Sequence, residues 1–189
     1  MHYYSIEIYL YEVGLSEAHQ SSNSQNFQCL EHLYACLLSA KSYLEAYFLV
    51  PTASYSSLSF VTWVQLANTL SVLARLLLVD TEGWDLTHAR EVAGFATVLE
   101  HLIERFQDAS NITEASPVAA EEEDTFYQYS KMMQWVKSKY ESAISINSPE
   151  RANVDLPASE VITGDFMYLN DAFWQDFVGN WDGTTSYGL

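Results

Sequence analysis

The sequence predicts an all-α protein, an irregular bundle of about five helices followed by a mostly disordered acidic tail. Three observations carry that expectation. Apolar residues recur at three- and four-residue spacing through successive stretches, no stretch alternates over strand length, and glycine, proline or polar runs separate the periodic stretches. With 49% hydrophobic and 14% aromatic residues, the chain is too apolar for wholesale disorder. A body of about 110–140 residues buries roughly two-thirds of its unfolded surface, enough to fold without staples. That helical body is placed over residues 1–144, with flexible loops at about 16–26 and 108–118, and the tail over 145–189.

The first helix is expected from Tyr3 to Val13, where Ile6, Tyr9, Leu10 and Val13 hold helical spacing and Gly14 supplies a stop. It starts almost at Met1 without a capping residue, as the end of something longer would. The polar run Ser21 to Asn26 reads as a linker. A second helix, about Phe27 to Leu49, sets Phe27, Leu30, Tyr34, Leu37, Leu44 and Phe48 on one stripe. Pro51 marks its end, because proline lacks an N–H and disfavours helix in the residue before it.

The third helix, about Ser57 to Val79, is apolar nearly all round: Phe60, Trp63, Val64, Leu70, Leu73, Leu77 and Leu78. Such a helix belongs at the centre of a bundle, covered by neighbours. A membrane span is the competing reading. Gln65, Asn68 and Arg75 oppose it, since an arginine near the bilayer centre costs about 2.5–3.5 kcal/mol on insertion. After the turn from Asp80, Asp85 is a candidate N-cap for a fourth helix, which runs to about Gln107 on Val92, Ala96, Leu99, Ile103 and Phe106. An acidic loop from Asp108 to Glu123 follows. Ser116-Pro117 then offers a cap and a first-turn proline, and Phe126, Tyr129, Met133, Val136 and Tyr140 form the stripe of a fifth helix. Its acids, Glu121 to Asp124, lie early and Lys131, Lys137 and Lys139 lie late, which suits the helix dipole.

Charge excludes several functions. Twenty-five acidic residues against eight basic ones give −17. A nucleic-acid binder needs a basic face to displace counterions, and the basic residues here are scattered from Lys41 to Arg151. Direct nucleic-acid binding and docking on anionic lipid are therefore not expected. The N-terminus has no basic region and already carries Glu7, which opposes a secretory signal and points to a reducing compartment. Without secretion the sequon Asn111-Ile112-Thr113 carries no meaning.

No catalytic chemistry announces itself. A glycine-rich phosphate loop, a nucleophile elbow and a His-Glu-x-x-His pattern are all missing, so no catalytic or cofactor-binding residue is assigned and an enzyme is not expected. The acids of Glu121 to Asp124 point all round a helix and read as solvated charge. Cys29, His32 and Cys36 do share one strip of the second helix. Spread over about 10 Å, they cannot converge on a zinc ion that needs four ligands in a tetrahedron. Two small buried cysteines and a half-exposed histidine are the plainer expectation, and no metal site is assigned.

The tail is the most unusual stretch. After Arg151 it has no basic residue, and Asp155, Glu160, Asp165, Asp171, Asp176 and Asp182 alternate with Phe166, Tyr168, Phe173, Trp174, Phe177 and Trp181. On helix formation Phe166, Leu169, Phe173 and Phe177 fall at i, i+3, i+7 and i+11, an anchor set for a groove, which Gly179 would end. Together with Asp171, Trp174, Asp176 and Trp181 they are the candidate partner-binding residues, an activation segment in character. The competing reading has the same aromatics packing back onto the protein's own core.

Leu33-Tyr34-Ala35-Cys36-Leu37, Ala40-Lys41-Ser42-Tyr43-Leu44, Leu58-Ser59-Phe60-Val61-Thr62-Trp63-Val64-Gln65-Leu66, the run from Leu70 to Leu78, Gly83-Trp84-Asp85, and Phe126 with Met132-Met133 and Tyr140 follow one another in a familiar order. In that order and spacing the chain resembles the C-terminal part of the regulatory, middle homology-type domain of fungal binuclear zinc-cluster transcription factors. The resemblance covers roughly Tyr3 to Tyr140. That family often ends in a short tryptophan- and aspartate-bearing segment, to which Asn170 to Phe177 with Trp181-Asp182 is similar. The resemblance implies a nuclear regulator of RNA polymerase II transcription whose partners are a coactivator or the transcription machinery, with dimerisation open in a full-length context. Such factors bind DNA through a zinc cluster of six cysteines, whereas this chain has two. Neither DNA binding nor zinc carries over, and zinc is expected only in the absent head. A fragment and a headless regulator are both open, and the alternative is a stand-alone helical protein-binding module.

Overall fold

The computed structural model describes residues 1–18, 26–78, 83–114 and 125–146. In chain order these form α1 (His2–Ala18), α2 (Asn26–Phe48), a 3-10 turn (Thr52–Ser57), α3 (Phe60–Leu76), α4 (Leu86–Ala93), α5 (Phe95–Glu114) and α6 (Thr125–Ile146). No strand occurs among the described residues, and the protein is all-α as the periodicity predicts. None of its described helices is long and apolar enough to cross a membrane. The described residues form two compact units, Met1–Pro51 with Leu58–Phe95, and Thr52–Ser57 with α5 from Ala96 and α6. Residues 145 and 146 of the expected tail belong to α6, and the rest of it lies outside the described residues.

In the first unit α1 packs on α2 and α3, and α2 packs on α3 and α4. Ser39 Oγ donates to Glu7 Oε2 at 2.9 Å, and Tyr11 lies 5.8 Å from the His32 ring. Those pairings run in opposite senses along the two helices, so α1 and α2 are antiparallel. Two sequence expectations for α1 are corrected. The helix continues through Gly14 to Ala18, so Gly14 does not end it as a glycine cap would. Residues 16–18 are accordingly helical. The inward face is Ser5 and Ile8, while Ile6 is 59% and Leu10 67% exposed. The segment is apolar enough to offer two stripes, and its contact with α2 selects one.

The buried run of α2 is Leu33, Cys36, Leu37, Ala40, Tyr43, Leu44 and Tyr47, at three- and four-residue intervals. The stripe read from the sequence shares Leu37 and Leu44 with it, while Leu30, Tyr34 and Phe48 are half-buried. Tyr43 is fully buried and donates its hydroxyl to the Thr62 carbonyl at 3.2 Å. Burial, and secondarily Tyr9, pushes its pKa well above the ordinary tyrosine value.

α3 starts two residues after the 3-10 turn. Ser59 is its cap, with its Oγ accepting from the Thr62 N–H and lying 3.0 Å from the Thr62 hydroxyl. From Trp63 onward it is buried on nearly every side, leaving Arg75 exposed, and its first turn exposes Phe60 and Val61. The centrality inferred from composition therefore holds beyond the first turn. Gln65, one of the residues opposing a membrane span, donates from Nε2 to His2 Nδ1 at 3.0 Å.

The Gly83-Trp84-Asp85 segment links α3 to α4 by three distinct devices. Gly83 has φ +85°, a conformation that favours glycine, and a Cβ there would stand 2.9 Å from Leu30 Cδ1 and push that side chain aside. Trp84 inserts its ring 4.6 Å from that of Tyr34 and donates its indole N–H to the Leu76 carbonyl at 3.1 Å. Asp85 caps α4, accepting from the His88 N–H at 2.9 Å, as expected from the sequence. Arg90 Nε then satisfies the Leu77 carbonyl at 3.1 Å. Gly94, at φ +53°, ends α4 in the left-handed conformation with its N–H on the Arg90 carbonyl. The single fourth helix expected up to Gln107 is therefore two, and the count rises from about five to six among the described residues.

The second unit is built on aromatic stacking. Tyr55, from the 3-10 turn, is fully buried with its ring 6.1 Å from Phe106 and 6.3 Å from Phe126. Its hydroxyl accepts from Arg105 Nε at 2.6 Å, and Phe106 in turn lies 5.7 Å from Tyr129. On α5 the inward residues are Leu99, Leu102, Phe106 and Ala109; on α6 they are Phe126, Tyr129, Met133, Val136, Tyr140 and Ala143. All five residues predicted for the α6 stripe are buried. Phe106 meets Tyr129 whereas Glu100 meets Lys137, so α5 and α6 are antiparallel. Residues 108–114 are helical and not a loop, because Ala109 and Ser110 are buried and extend the inward stripe by another turn. Ser116-Pro117, the acids Glu121 to Asp124, the polar run before Asn26 and the turn from Asp80 to Glu82 lie outside the described residues.

Candidate partner-binding site

The eight residues predicted to bind a partner, Phe166, Leu169, Asp171, Phe173, Trp174, Asp176, Phe177 and Trp181, lie outside the described residues. The body therefore has to be searched for what it offers, beginning with its reactive side chains. Cys36 is buried and Cys29 half-buried, and His32 packs on Tyr11. Among the described residues no three His, Cys, Asp or Glu side chains stand close enough to hold a metal ion.

One concavity lies in the second unit, a shallow groove of about 330 Å³ between α5 and α6, lined by Glu100, Ile103, Glu104, Gln134, Lys137 and Glu141 among others. Lys137 crosses it, with Nζ 2.9 Å from Glu100 and 3.2 Å from Glu141. The hydrogen bond to Glu100, then that to Glu141, raises the lysine pKa above its ordinary value. A small-molecule site encloses most of its ligand in an apolar cleft. This groove is open, and its cation is already neutralised by two carboxylates.

The outer face of α6 differs in kind. Tyr127 is 48% and Trp135 44% exposed, and each is matched with a lysine one turn on. Lys131 Nζ stands 5.2 Å from the centre of the Tyr127 ring, and Lys139 Nζ 5.7 Å from that of Trp135. The order Tyr127, Lys131, Trp135, Lys139 is a ladder at four-residue spacing, so each member neighbours the next along the helix surface. Three of the chain's eight basic residues are on this helix. The sequence reading assigns these lysines only to the helix dipole. The available signal was the aromatic-to-lysine interval of four, repeated.

Residues 52–182 match the ATEG07667_C C-terminal domain. The match begins at the 3-10 turn, takes in α3 to α6, and continues past all eight tail residues. The chain is also 29% identical over 161 residues to a protein named transcription factor opdL from Penicillium oxalicum (strain 114-2). That alignment covers 84% of this chain but 27% of opdL, so the chain spans about a quarter of that relative's length. No solved structure matches.

Proposed function

Because the chain belongs to the ATEG07667_C C-terminal domain family, we propose that it is a transcription-regulatory segment of a fungal RNA polymerase II transcription factor. On this reading it works in the nucleus through protein partners, a coactivator or the transcription machinery, and not by contacting DNA. The observation that carries the reading is the reach of the family match: it runs to Asp182, across a stretch whose six acids and interleaved rings have no basic counterweight after Arg151. Similarity to a protein named as a transcription factor supports it. The net charge of −17 argues for partners other than phosphate backbones.

The mechanism follows from the tail's chemistry. Its carboxylates keep the rings solvated and apart until a partner groove accepts them. Phe166, Leu169, Phe173 and Phe177 then enter along one helical face, Trp174 and Trp181 extend the contact, and Asp171 and Asp176 remain toward solvent or a basic rim. Ordering the segment costs about 2–5 kcal/mol, so binding is of modest affinity and weakens with salt.

The test tethers the whole chain, and separately residues 161–189, to a foreign DNA-binding domain upstream of a reporter. Activation is expected from both, and Phe173→Ala with Phe177→Ala should remove most of it. A silent tail fusion, or output indifferent to the double substitution, would sink the proposal.

A further inference from the structure

We propose that the 3-10 turn Thr52–Ser57 is a strap whose anchor, Tyr55, couples the stability of the two units, so that whatever tightens or loosens one is felt in the other. The coupling needs no activation function and stands apart from the reading above.

The chain enters and leaves the strap from the first unit, yet the strap itself belongs to the second. Its entry follows the end of α2, where the Val50 N–H donates to the Tyr47 carbonyl at 3.0 Å. Its exit leads to the start of α3, where Ser59 Oγ accepts from the Thr62 N–H at 3.4 Å. Of the six strap residues, Tyr55 is the buried one. Its ring lies 6.1 Å from that of Phe106 and 6.3 Å from that of Phe126. Arg105 Nε donates to its hydroxyl at 2.6 Å, and the same guanidinium stands 5.4 Å from the ring centre. α5 and α6 thus complete their aromatic core with a side chain that precedes α3 in the chain. The family match starts at residue 52, the strap's first, and so keeps the anchor with the helices it completes while α1 and α2 fall outside. A strap held by one side chain has two discrete states, anchored and released, and a two-state element of that kind can carry coupling.

Chain entropy sets the direction and the size. While the first unit is folded, both ends of the strap are fixed, and Tyr55 is presented to its socket at little further cost. When α3 unfolds, Tyr55 is joined to the rest of its unit through the 40 residues 56–95. Keeping it in place then requires closing that loop. The penalty grows as the 3/2 power of loop length and is on the order of a hundredfold for this one. An anchored Tyr55 therefore opposes opening of the first unit by up to that factor. By linkage, a folded first unit favours the anchored strap by the same factor.

Native-state hydrogen exchange of the whole chain, followed amide by amide by NMR, compares two losses within the second unit. Tyr55→Ala removes the anchor, and Met133→Ala truncates a fully buried α6 side chain that is not on the strap. Both should speed exchange of the slowest amides of α5 and α6 about a hundredfold, the scale of a large buried side chain lost. Tyr55→Ala alone should also speed exchange in α3, by about ten- to a hundredfold. A third variant guards against a chain that fails to fold. Four glycines inserted between Ser56 and Ser57, both exposed, leave the anchor and its socket intact but loosen its presentation, and α3 exchange should rise severalfold.

The proposal is overturned if Tyr55→Ala alters α5 and α6 and leaves α3 unchanged, for Tyr55 is then ordinary core of its own unit. It is equally overturned if Met133→Ala reaches α3 as strongly, if α5 and α6 keep their protection without Tyr55, or if the glycine insertion leaves α3 unmoved.

Discussion

α3 and α6 put aromatic residues to opposite uses. In α3 every large ring after the first turn is inside: Trp63 is fully buried, with Leu66, Leu70 and Leu73 beneath the same neighbours. In α6 one stripe is buried to the same degree, yet Tyr127 and Trp135 remain about half in water, each with a lysine over its face. Burial of apolar surface accounts for the composition of α3 beyond its first turn, where Phe60 and Val61 stay exposed. It does not account for the outer rings of α6, which forgo most of that gain.

The comparison is most easily broken with one residue type at two places. Trp63→Ala should cost about 3–5 kcal/mol, as the loss of a core aromatic does, and lower Tm steeply in a thermal melt. Next in size is Gly83→Ala, which forces an L-residue to φ +85° and brings its Cβ against Leu30. The strained backbone makes this about 1–2 kcal/mol, measured by denaturant titration.

Tyr43→Phe removes the hydrogen bond to the Thr62 carbonyl and should cost about 1 kcal/mol near neutral pH. Its sign changes the pH profile. Because burial raises the Tyr43 pKa above 10.0, this residue's contribution is fully present below pH 10. It is lost as pH rises further, toward and through the folded value. The variant should therefore lose less stability than the native chain above pH 10, read as urea midpoints across that window. Smallest is Trp135→Ala, expected within about 0.5 kcal/mol of the native chain, as for other surface changes. A cost near that of Trp63→Ala would place the outer face of α6 in a core and erase the comparison.

Residue patterns reveal some of this architecture and conceal the rest for physical reasons. The α6 stripe was legible because Phe126, Tyr129, Met133, Val136 and Tyr140 are the large apolar residues at consistent spacing on an otherwise polar helix. The Asp85 cap was legible because a short acceptor precedes a periodic run. α1 was misread because Ile6, Ile8, Tyr9 and Leu10 permit two faces, and packing on α2 and α3 decides between them. The break at Gly94 was hidden by Val92, Ala96 and Leu99, whose spacing continues across it; glycine signals a cap only once its φ turns positive. The end of α5 was hidden by polar composition, since Ala109 and Ser110 are too small to announce their burial. At the candidate site the sequence supplies the tail residues, while the α6 ladder emerges from where the lysines stand relative to the rings.

The account's central claim is a division of labour, with the body made by packing and the tail kept for partners. The most direct test measures one variant two ways. The full chain carrying Phe173→Ala and Phe177→Ala is melted, and the same chain, tethered to a foreign DNA-binding domain, is read by reporter. The account predicts that Tm falls by no more than about 3 °C, the scale of roughly 1 kcal/mol in a chain of this size, while activation is mostly lost. A fall of more than about 5 °C, or activation that survives, would contradict it and return those rings to the core.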